Sequence, residues 1–323
     1  MLDLIAIGDI KLDTFVFIDE AQVNCELKDR DCWLCIRYGE KLIVKDFDTQ
    51  IAGSAPNVAI GLRRLGLSTG VVSIVGNDPT ADLAAHVLKK EKVQTTYIRK
   101  TKGEKSSFSI VILYRGERTM LTSHSPHHYR LRACPPTKWL FLSELGNHYE
   151  MFFKDVVRHV EKKKVKLGFN PGTEQIRAGA KKLKTILKRT EVLFVNLEEA
   201  HALLQEKNHL DTTRLIRMVW KMGPNIVVIT DGPRGAFAFD GGNIYSIGSF
   251  PAHRLETTGA GDAFATGFLA ARIQKKSIEE ALRWGSVESA SVIACVGPQP
   301  GLLRRTTILK RLRKDPKFQA REL

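Results

Sequence analysis

Thr257, Thr258, Gly259, Ala260, Gly261 and Asp262 run consecutively and lead into the small, apolar stretch Ala263-Phe264-Ala265-Thr266-Gly267-Phe268. Glycines at that spacing let the chain turn tightly ahead of a helix whose first amides have no intrahelical acceptor. Those amides and the positive end of the helix dipole make an anion site. A carboxylate beside a bound anion needs a chemical reason, and Asp262 has one: it can take the proton of a hydroxyl that attacks a phosphoryl group.

Weaker signals occur elsewhere. Thr230-Asp231-Gly232-Pro233-Arg234-Gly235 follows the apolar run Ile226 to Ile229, and a Gly-rich loop at the carboxyl end of a parallel strand is where α/β folds bind ligands. A tight turn accounts for the same glycines. Asn196 and Glu199 follow Val192 to Val195 at N-x-x-E spacing. That pair suits a water-bridged magnesium ion, or an N-cap with Glu199 as the third residue of a capping box. In the N-terminal half, Ala52-Gly53-Ser54-Ala55-Pro56-Asn57 precedes a helical pattern, and Asp9 and Asp13 follow the first apolar run. Asp13 and Asn57 offer a carboxylate and an amide to vicinal hydroxyls, with Gly53 allowing close approach; turn and cap chemistry accounts for Asp9 and Asn57 as readily. There is no G-x-x-x-x-G-K-[ST], and no G-x-G-x-x-G follows the first strand. Both absences turn attention to the C-terminal half for phosphate binding. His124, His127 and His128 lack the spacing of a helical zinc site and are expected at the surface.

The elements that must hold these residues are short apolar runs at Leu4 to Ile7, Val71 to Val75, Trp139 to Leu142, Val165 to Phe169, Val192 to Val195 and Ile226 to Ile229, most of them followed by helical periodicity. Such alternation predicts a parallel sheet covered on both faces. Helices are expected over Asn57 to Leu65, Ala81 to Lys90 and Glu279 to Val292. Two stretches break the rhythm. Thr14 to Ile18 and Lys41 to Phe47 read as strands, and Ser107 to Leu113 with Arg118 to Thr122 read as a hairpin around Tyr114-Arg115-Gly116-Glu117. They predict a small β unit inserted twice into the α/β body. The organisation expected is residues 1–12 core, 13–52 first β insertion, 53–96 core, 97–123 second β insertion, 124–310 core and 311–323 a basic tail.

The chain has 323 residues, 43% hydrophobic and 26% charged, which is an ordinary globular composition. No apolar run approaches a membrane span. Met1 to Asp9 reads as a strand and not as a signal peptide, so a cytoplasmic protein is expected. Fifty Lys and Arg against 35 Asp and Glu give a formal +15, a field that attracts polyanions. The basic runs, such as Lys162-Lys163-Lys164 and Arg304 to Lys314, read as solvated helix faces, which makes nucleic acid an unlikely partner. Five cysteines are an odd, sparse set that argues against a disulfide framework. Cys25, Cys32 and Cys35 supply part of a zinc-like pattern without a nearby fourth ligand, so free thiols are expected.

Taken together and in this order, Ala52-Gly53-Ser54-Ala55-Pro56-Asn57-Val58-Ala59, Asn196 with Glu199, Thr230 with Gly232 and Gly235, and Glu256-Thr257-Thr258-Gly259-Ala260-Gly261-Asp262 resemble the ribokinase-like (PfkB-type) family of sugar and nucleoside kinases. The resemblance spans residue 4 to about residue 301. It implies a three-layer α/β/α sandwich with a mostly parallel central sheet and a small β-sheet lid. It implies ATP and magnesium as cofactors, and transfer of the γ-phosphate to a hydroxymethyl group of a ribose- or fructose-like sugar, or of a nucleoside such as adenosine. Asp262 would be the base, with Gly259, Ala260 and Gly261 as the anion hole. Asp13, Gly53 and Asn57 would hold the acceptor, Asn196, Thr230, Gly232 and Gly235 the nucleotide, and Glu199 the metal. A homodimer through the lid is compatible with its exposed edges. A non-catalytic polyanion binder would have no use for Asp262.

The sequence departs from the family pattern at Ala52, where a glycine is usual, at Glu256, where Asp is usual, and at Lys11, often Asn in sugar kinases. Ala52 narrows the acceptor space, and Glu256 puts a monovalent-cation site in question. Lys11 would favour an anionic acceptor if it faced the pocket, and is otherwise an exposed hinge lysine. An aromatic wall for a purine would come from Phe15, Phe17, Phe108 and Tyr114.

Overall fold

A computed structural model describes residues 1–26, 31–131, 133–146, 148–205 and 210–323. The chain begins with β1 (Leu2–Ile7) and β2 (Lys11–Phe17), a hairpin of β3 (Gln22–Glu26) and β4 (Asp31–Cys35), then β5 (Asp46–Ala52) and α1 (Ser54–Arg64). β6 (Thr69–Gly76), α2 (Pro79–Lys90), β7 (Gln94–Thr101), β8 (Ser107–Tyr114), β9 (Glu117–Ser123) and β10 (Thr137–Leu142) follow. Next come α3 (Glu150–Lys163), β11 (Lys166–Phe169), α4 (Thr173–Leu187), β12 (Val192–Asn196), α5 (Leu197–Leu204) and α6 (Thr212–Trp220). The last third holds β13 (Ile226–Thr230), β14 (Ala236–Phe239), β15 (Ile244–Ile247), α7 (Ala260–Ile273), α8 (Ile278–Val292), α9 (Arg305–Lys314) and β16 (Arg321–Glu322).

The apolar runs pair as the expected parallel sheet, in the order β7-β6-β1-β10-β11-β12-β13, and β14, β15 and β16 extend it antiparallel. Alternation in β1 shows why the sheet is covered twice. Leu4 and Ala6 join a core with Val58 of α1, Ala84 of α2, Leu269 of α7 and Trp284 of α8. Ile5 and Ile7 face the opposite core with Val156 of α3, Leu183 of α4 and Ile216 of α6. The architecture is an α/β/α sandwich with a mostly parallel sheet.

A second sheet, in the order β5-β2-β8-β9, stands apart from it. β8 and β9 form the expected hairpin, turning at Arg115 and Gly116, both with positive φ. Its inner face carries Phe15, Val111 and Leu113, packed with Val296. Lys41 to Val44 lie outside any strand, and the strand instead starts at Asp46, where the chain finds the free edge of β2. Hydrogen bonding to an available edge outweighs the apolar character of Leu42 to Val44. The stretch 311–323 begins inside α9, whose Ile308 and Leu312 are buried, and ends as β16 on the sheet edge.

The cysteine expectation is corrected. Cys25 and Cys32 face each other in the β3–β4 ladder and form a disulfide, while Cys35 is a free, exposed thiol. Residue counting missed the pair because register, not number, decides which thiols meet. Among the described residues no group of three potential ligands is placed to hold a metal, and no helix is long and apolar enough to cross a membrane.

Candidate active site

The carboxyl ends of β1, β10, β12 and β13 point the same way; Asn196 and Thr230 end β12 and β13, Glu199 opens α5, and Gly232 and Gly235 lie in the loop after β13. Gly53 caps α1 with φ of 111°, and a Cβ there would stand 2.3 Å from the Asp9 carbonyl oxygen. Only glycine lets the start of α1 press against the end of β1 in this way. One turn on, the buried Asn57 donates Nδ2 to Asp262 Oδ2 at 2.8 Å and accepts from Gln299 Nε2 at 3.0 Å. Gln299 also donates to the Ile51 carbonyl at 2.6 Å. Asn57 therefore ties the N-terminal motif to Asp262 across the molecule.

Gly259 takes a left-handed φ of 78° ahead of α7, and a Cβ would come within 2.5 Å of Pro298. The Ala260 amide is spent on the Thr257 carbonyl at 3.2 Å. The amides of Gly261 and Asp262 find no carbonyl among the described residues, and nothing lies within 4 Å of the position a Gly261 Cβ would take. The donors left available at this turn are thus the Gly261 and Asp262 amides. Asp262 is half-buried, and burial raises its carboxyl above the ordinary range against the bonds it accepts from Asn57 and Ser54.

Behind the turn, the buried Glu256 accepts from the Thr258 amide at 2.7 Å and from the Gly297 amide at 3.0 Å. Its second methylene carries the carboxylate across to the neighbouring loop, so the anion turn and the Gly297–Gln299 segment are held by a side chain. Each carboxylate oxygen is engaged by one amide, so a monovalent cation at Glu256 would compete with the tie between the two loops.

A cleft of about 390 Å³ opens beside the same turn, lined by Thr230, Gly232, Gly235, Thr257 and Gly261, with Phe250 and Phe264 among its apolar walls. Three of the four predicted nucleotide residues meet there. Asn196 is paired in register with Thr230 but forms a reciprocal capping box: its Oδ1 accepts from the Glu199 amide at 2.7 Å, and Glu199 Oε2 accepts from the Asn196 amide at 2.9 Å. Glu199 is raised to about 7 by burial and by the charges of Glu198, Asp262 and Glu144, against the bond from Asn196. The tip of the β8–β9 hairpin reaches the cleft mouth, where Glu117 pairs with Arg254 at 2.5 Å and Arg118 donates to Thr257 Oγ1.

The pocket around Asp9 and Asp13 holds residues that the motifs did not reveal. Lys11, read as an exposed hinge lysine, is buried and ion-paired with Glu144. His124 sits between Asp9 Oδ2, 3.2 Å from Nδ1, and Glu144 Oε1, 3.3 Å from Nε2. Its bonds to those two carboxylates raise it to about 9, so it is an imidazolium at neutral pH. Burial would raise Glu144, but His124 and Lys11 outweigh it and hold its carboxyl at about 2. Tyr129 donates to Asp9 Oδ1 at 2.5 Å. His127 is buried as well and contacts Glu104, contrary to the surface expectation. Acidic residues at the ends of apolar strands, such as Glu144 after β10, were the signal available for finding this network.

Asp13 departs from this mutual satisfaction. It is 4% exposed, and its Oδ1 has no hydrogen-bond partner. Burial raises it to about 6, against the charge of Lys11 and a bond from Ser109. An unpaired buried acceptor facing Asp262 and Glu144 suits a ligand hydroxyl.

A base candidate at an amide cradle, joined to a polar pocket on one side and a cleft on the other, is the arrangement of a phosphotransferase. The model of the pfkB family carbohydrate kinases matches residues 13–304, and the chain belongs to that family. It is 26% identical over 255 residues to an uncharacterized sugar kinase of Archaeoglobus fulgidus, covering 76% of this chain and 99% of that one. It is 27% identical over 314 residues to the cytidine kinase of Thermococcus kodakarensis, covering 91% and 96%. The structure of Arabidopsis thaliana ribokinase complexed with ribose and ATP superimposes with a TM-score of 0.79 at 21% identity, covering 97% of this chain and 99% of that one. The protein is a ribokinase-fold kinase of the sugar and nucleoside class.

Proposed function

We propose that the protein transfers the γ-phosphoryl group of ATP to a hydroxymethyl group of a small, uncharged sugar, ribose- or fructose-like, with Asp262 as the general base. The observation that carries this reading is the position of Asp262, fixed by Asn57 in the same turn that leaves the Gly261 and Asp262 amides without a carbonyl partner among the described residues. The amides stabilise charge on the transferring oxygens, and the carboxylate takes the acceptor proton as the new bond to phosphorus forms. Asp13 and Asn57 hold the acceptor, with Gly53 setting the start of α1 against Asp9; Thr230, Gly232 and Gly235 surround the nucleotide, with Asn196 near its phosphates. Glu199 would hold magnesium through water, because a carboxyl raised among other carboxylates gains from a nearby cation; when bound, the ion neutralises phosphate oxygens. The four-stranded sheet acts as a lid, and its hairpin contacts with Arg254 and Thr257 exclude water during transfer.

Charge supports an uncharged acceptor. Lys11 is neutralised by Glu144, and His124 lies between two carboxylates, so among the described residues the pocket keeps no free cation for an acidic or phosphorylated sugar. A nucleoside acceptor is the second reading, favoured by likeness to a cytidine kinase. Against a purine wall, Phe15 is packed inside the lid and Tyr114 is buried with its hydroxyl on the Ala21 carbonyl. Phe108, paired in register with Leu12, stands on the face away from Asp13. That face also carries Ile110, Ile112, Leu121 and Phe47, the last two exposed, and a second copy of the chain is its proposed partner. A coupled nucleotide assay across ribose, fructose, adenosine, cytidine, a sugar acid and a sugar phosphate tests the reading. Turnover on ribose or fructose supports it; turnover confined to the acidic sugars overturns it.

A further inference from the structure

A second cavity, of about 290 Å³, lies behind the acceptor pocket. Val72 and Ile74 of β6 pair with Tyr97 and Arg99 of β7, so these four side chains stand on one face of the sheet edge. The helix packed on these two strands is α2, whose Ala84 and Leu88 join Val71 and Val75 on the opposite face. The near face is roofed by the segment around Tyr129 and by Phe152, leaving the cavity between. Its walls are thus mostly aliphatic and aromatic, and the charged side chains lining it are Arg99 and Arg130. Arg130 is paired with Asp155 at 2.8 Å, whereas Arg99 donates to the His128 carbonyl at 3.1 Å and has no acidic partner among the described residues.

We propose that this cavity is a second small-molecule site, taking an aromatic carboxylate whose ring enters among Ile74, Tyr97 and Phe152 and whose carboxylate meets Arg99. A guanidinium with donors to spare recognises such a group by charge-assisted hydrogen bonds, and the apolar walls bind the ring. Occupancy is felt at the acceptor pocket through Tyr129. The same tyrosine lines the cavity and donates to Asp9, which holds His124, which holds Glu144. A ring pressing on Tyr129 therefore bears on the carboxylates beside the acceptor. This coupling rests on the kinase reading; the binding itself does not.

Benzoate is the probe, titrated into the full-length protein and followed by calorimetry, with benzyl alcohol as its neutral counterpart. Binding is expected to weaken about tenfold or more for benzyl alcohol and for Arg99→Gln, the loss of one charge-assisted contact. Ile74→Trp, which fills the cavity, should abolish it, and both variants should keep the wild-type kcat. Benzoate should shift the acceptor KM of the wild type, and Tyr129→Phe should bind benzoate but lose that shift. Equal affinity of benzoate for wild type and Arg99→Gln, equal binding of benzyl alcohol, no binding at all, or displacement of benzoate by acceptor or ATP would each overturn the proposal. An error in the kinase reading shows separately, as absence of turnover with any acceptor while benzoate still binds.

Discussion

The two halves of the site are built from different materials. The side proposed for the nucleotide is made mostly from backbone: a left-handed glycine ahead of α7, two amides with no carbonyl partner among the described residues, and a cleft lined in part by glycines and apolar side chains. The side proposed for the acceptor is made from charge, with Lys11, His124, Glu144, Asp9 and Tyr129 satisfying one another and Asp13 left over. Backbone geometry suits a ligand whose phosphates are always the same. A side-chain network suits a ligand that must be told apart from its relatives, because an unpaired buried group penalises the wrong one.

Breaking each half in turn should give different symptoms. Gly259→Val forces a β-branched residue into a left-handed turn against Pro298. It should lower kcat by about 10²–10³-fold in steady-state assays with acceptor binding intact. Lys11→Met takes from the half-buried Glu144 one of its two cations and leaves it His124. It should cost about 1–3 kcal/mol in a denaturant titration and raise the acceptor KM, with little change in the KM for ATP.

Acidity should sharpen the contrast. Asp13 titrates near 6 in the folded protein, facing Lys11, Ser109, Asp262 and Glu144, and accepts a ligand hydroxyl best as the carboxylate. Below that pH it is protonated, so the acceptor KM should rise about tenfold from pH 7.5 to pH 5. At the other end, His124 is raised from 6.5 to about 9. Its contribution to stability is complete below about 6.5 and lost as pH climbs through about 9, which a fall in melting temperature above pH 8 would register. The smallest effect expected is that of monovalent cations. With Glu256 bonded to the Thr258 and Gly297 amides, replacing potassium by tetramethylammonium should change kcat less than about twofold, and a large activation would show that the tie opens to admit an ion.

The same division decides what could be read from the sequence. The parallel sheet, α1, α2, α8 and the β8–β9 hairpin follow from apolar period and turn residues, and the anion turn follows from two glycines and an Asp in fixed spacing. β5 was misplaced because Asp46 to Gln50 are polar or exposed, whereas Leu42 to Val44 are apolar without being paired. His124 belongs to no local pattern, and Glu144 only to the weak one of an acidic residue after an apolar strand. They matter because β10 lies beside β1 in the sheet and the chain after β9 returns over Asp9, which are facts of topology and not of spacing. The Cys25–Cys32 bond and the reach of Glu256 to Gly297 are of the same kind: a register in one case and one extra methylene in the other.

Asp262 is where the two halves meet, and the most direct measurement is made on Asp262→Asn, with the acceptor, a non-hydrolysable ATP analogue and phosphoryl transfer from ATP followed in one preparation. The variant should keep its melting temperature and bind both ligands as the wild type does, while transfer falls by about 10²–10⁴-fold. Transfer at a near-normal rate with both ligands bound would contradict the assignment of Asp262 as the base.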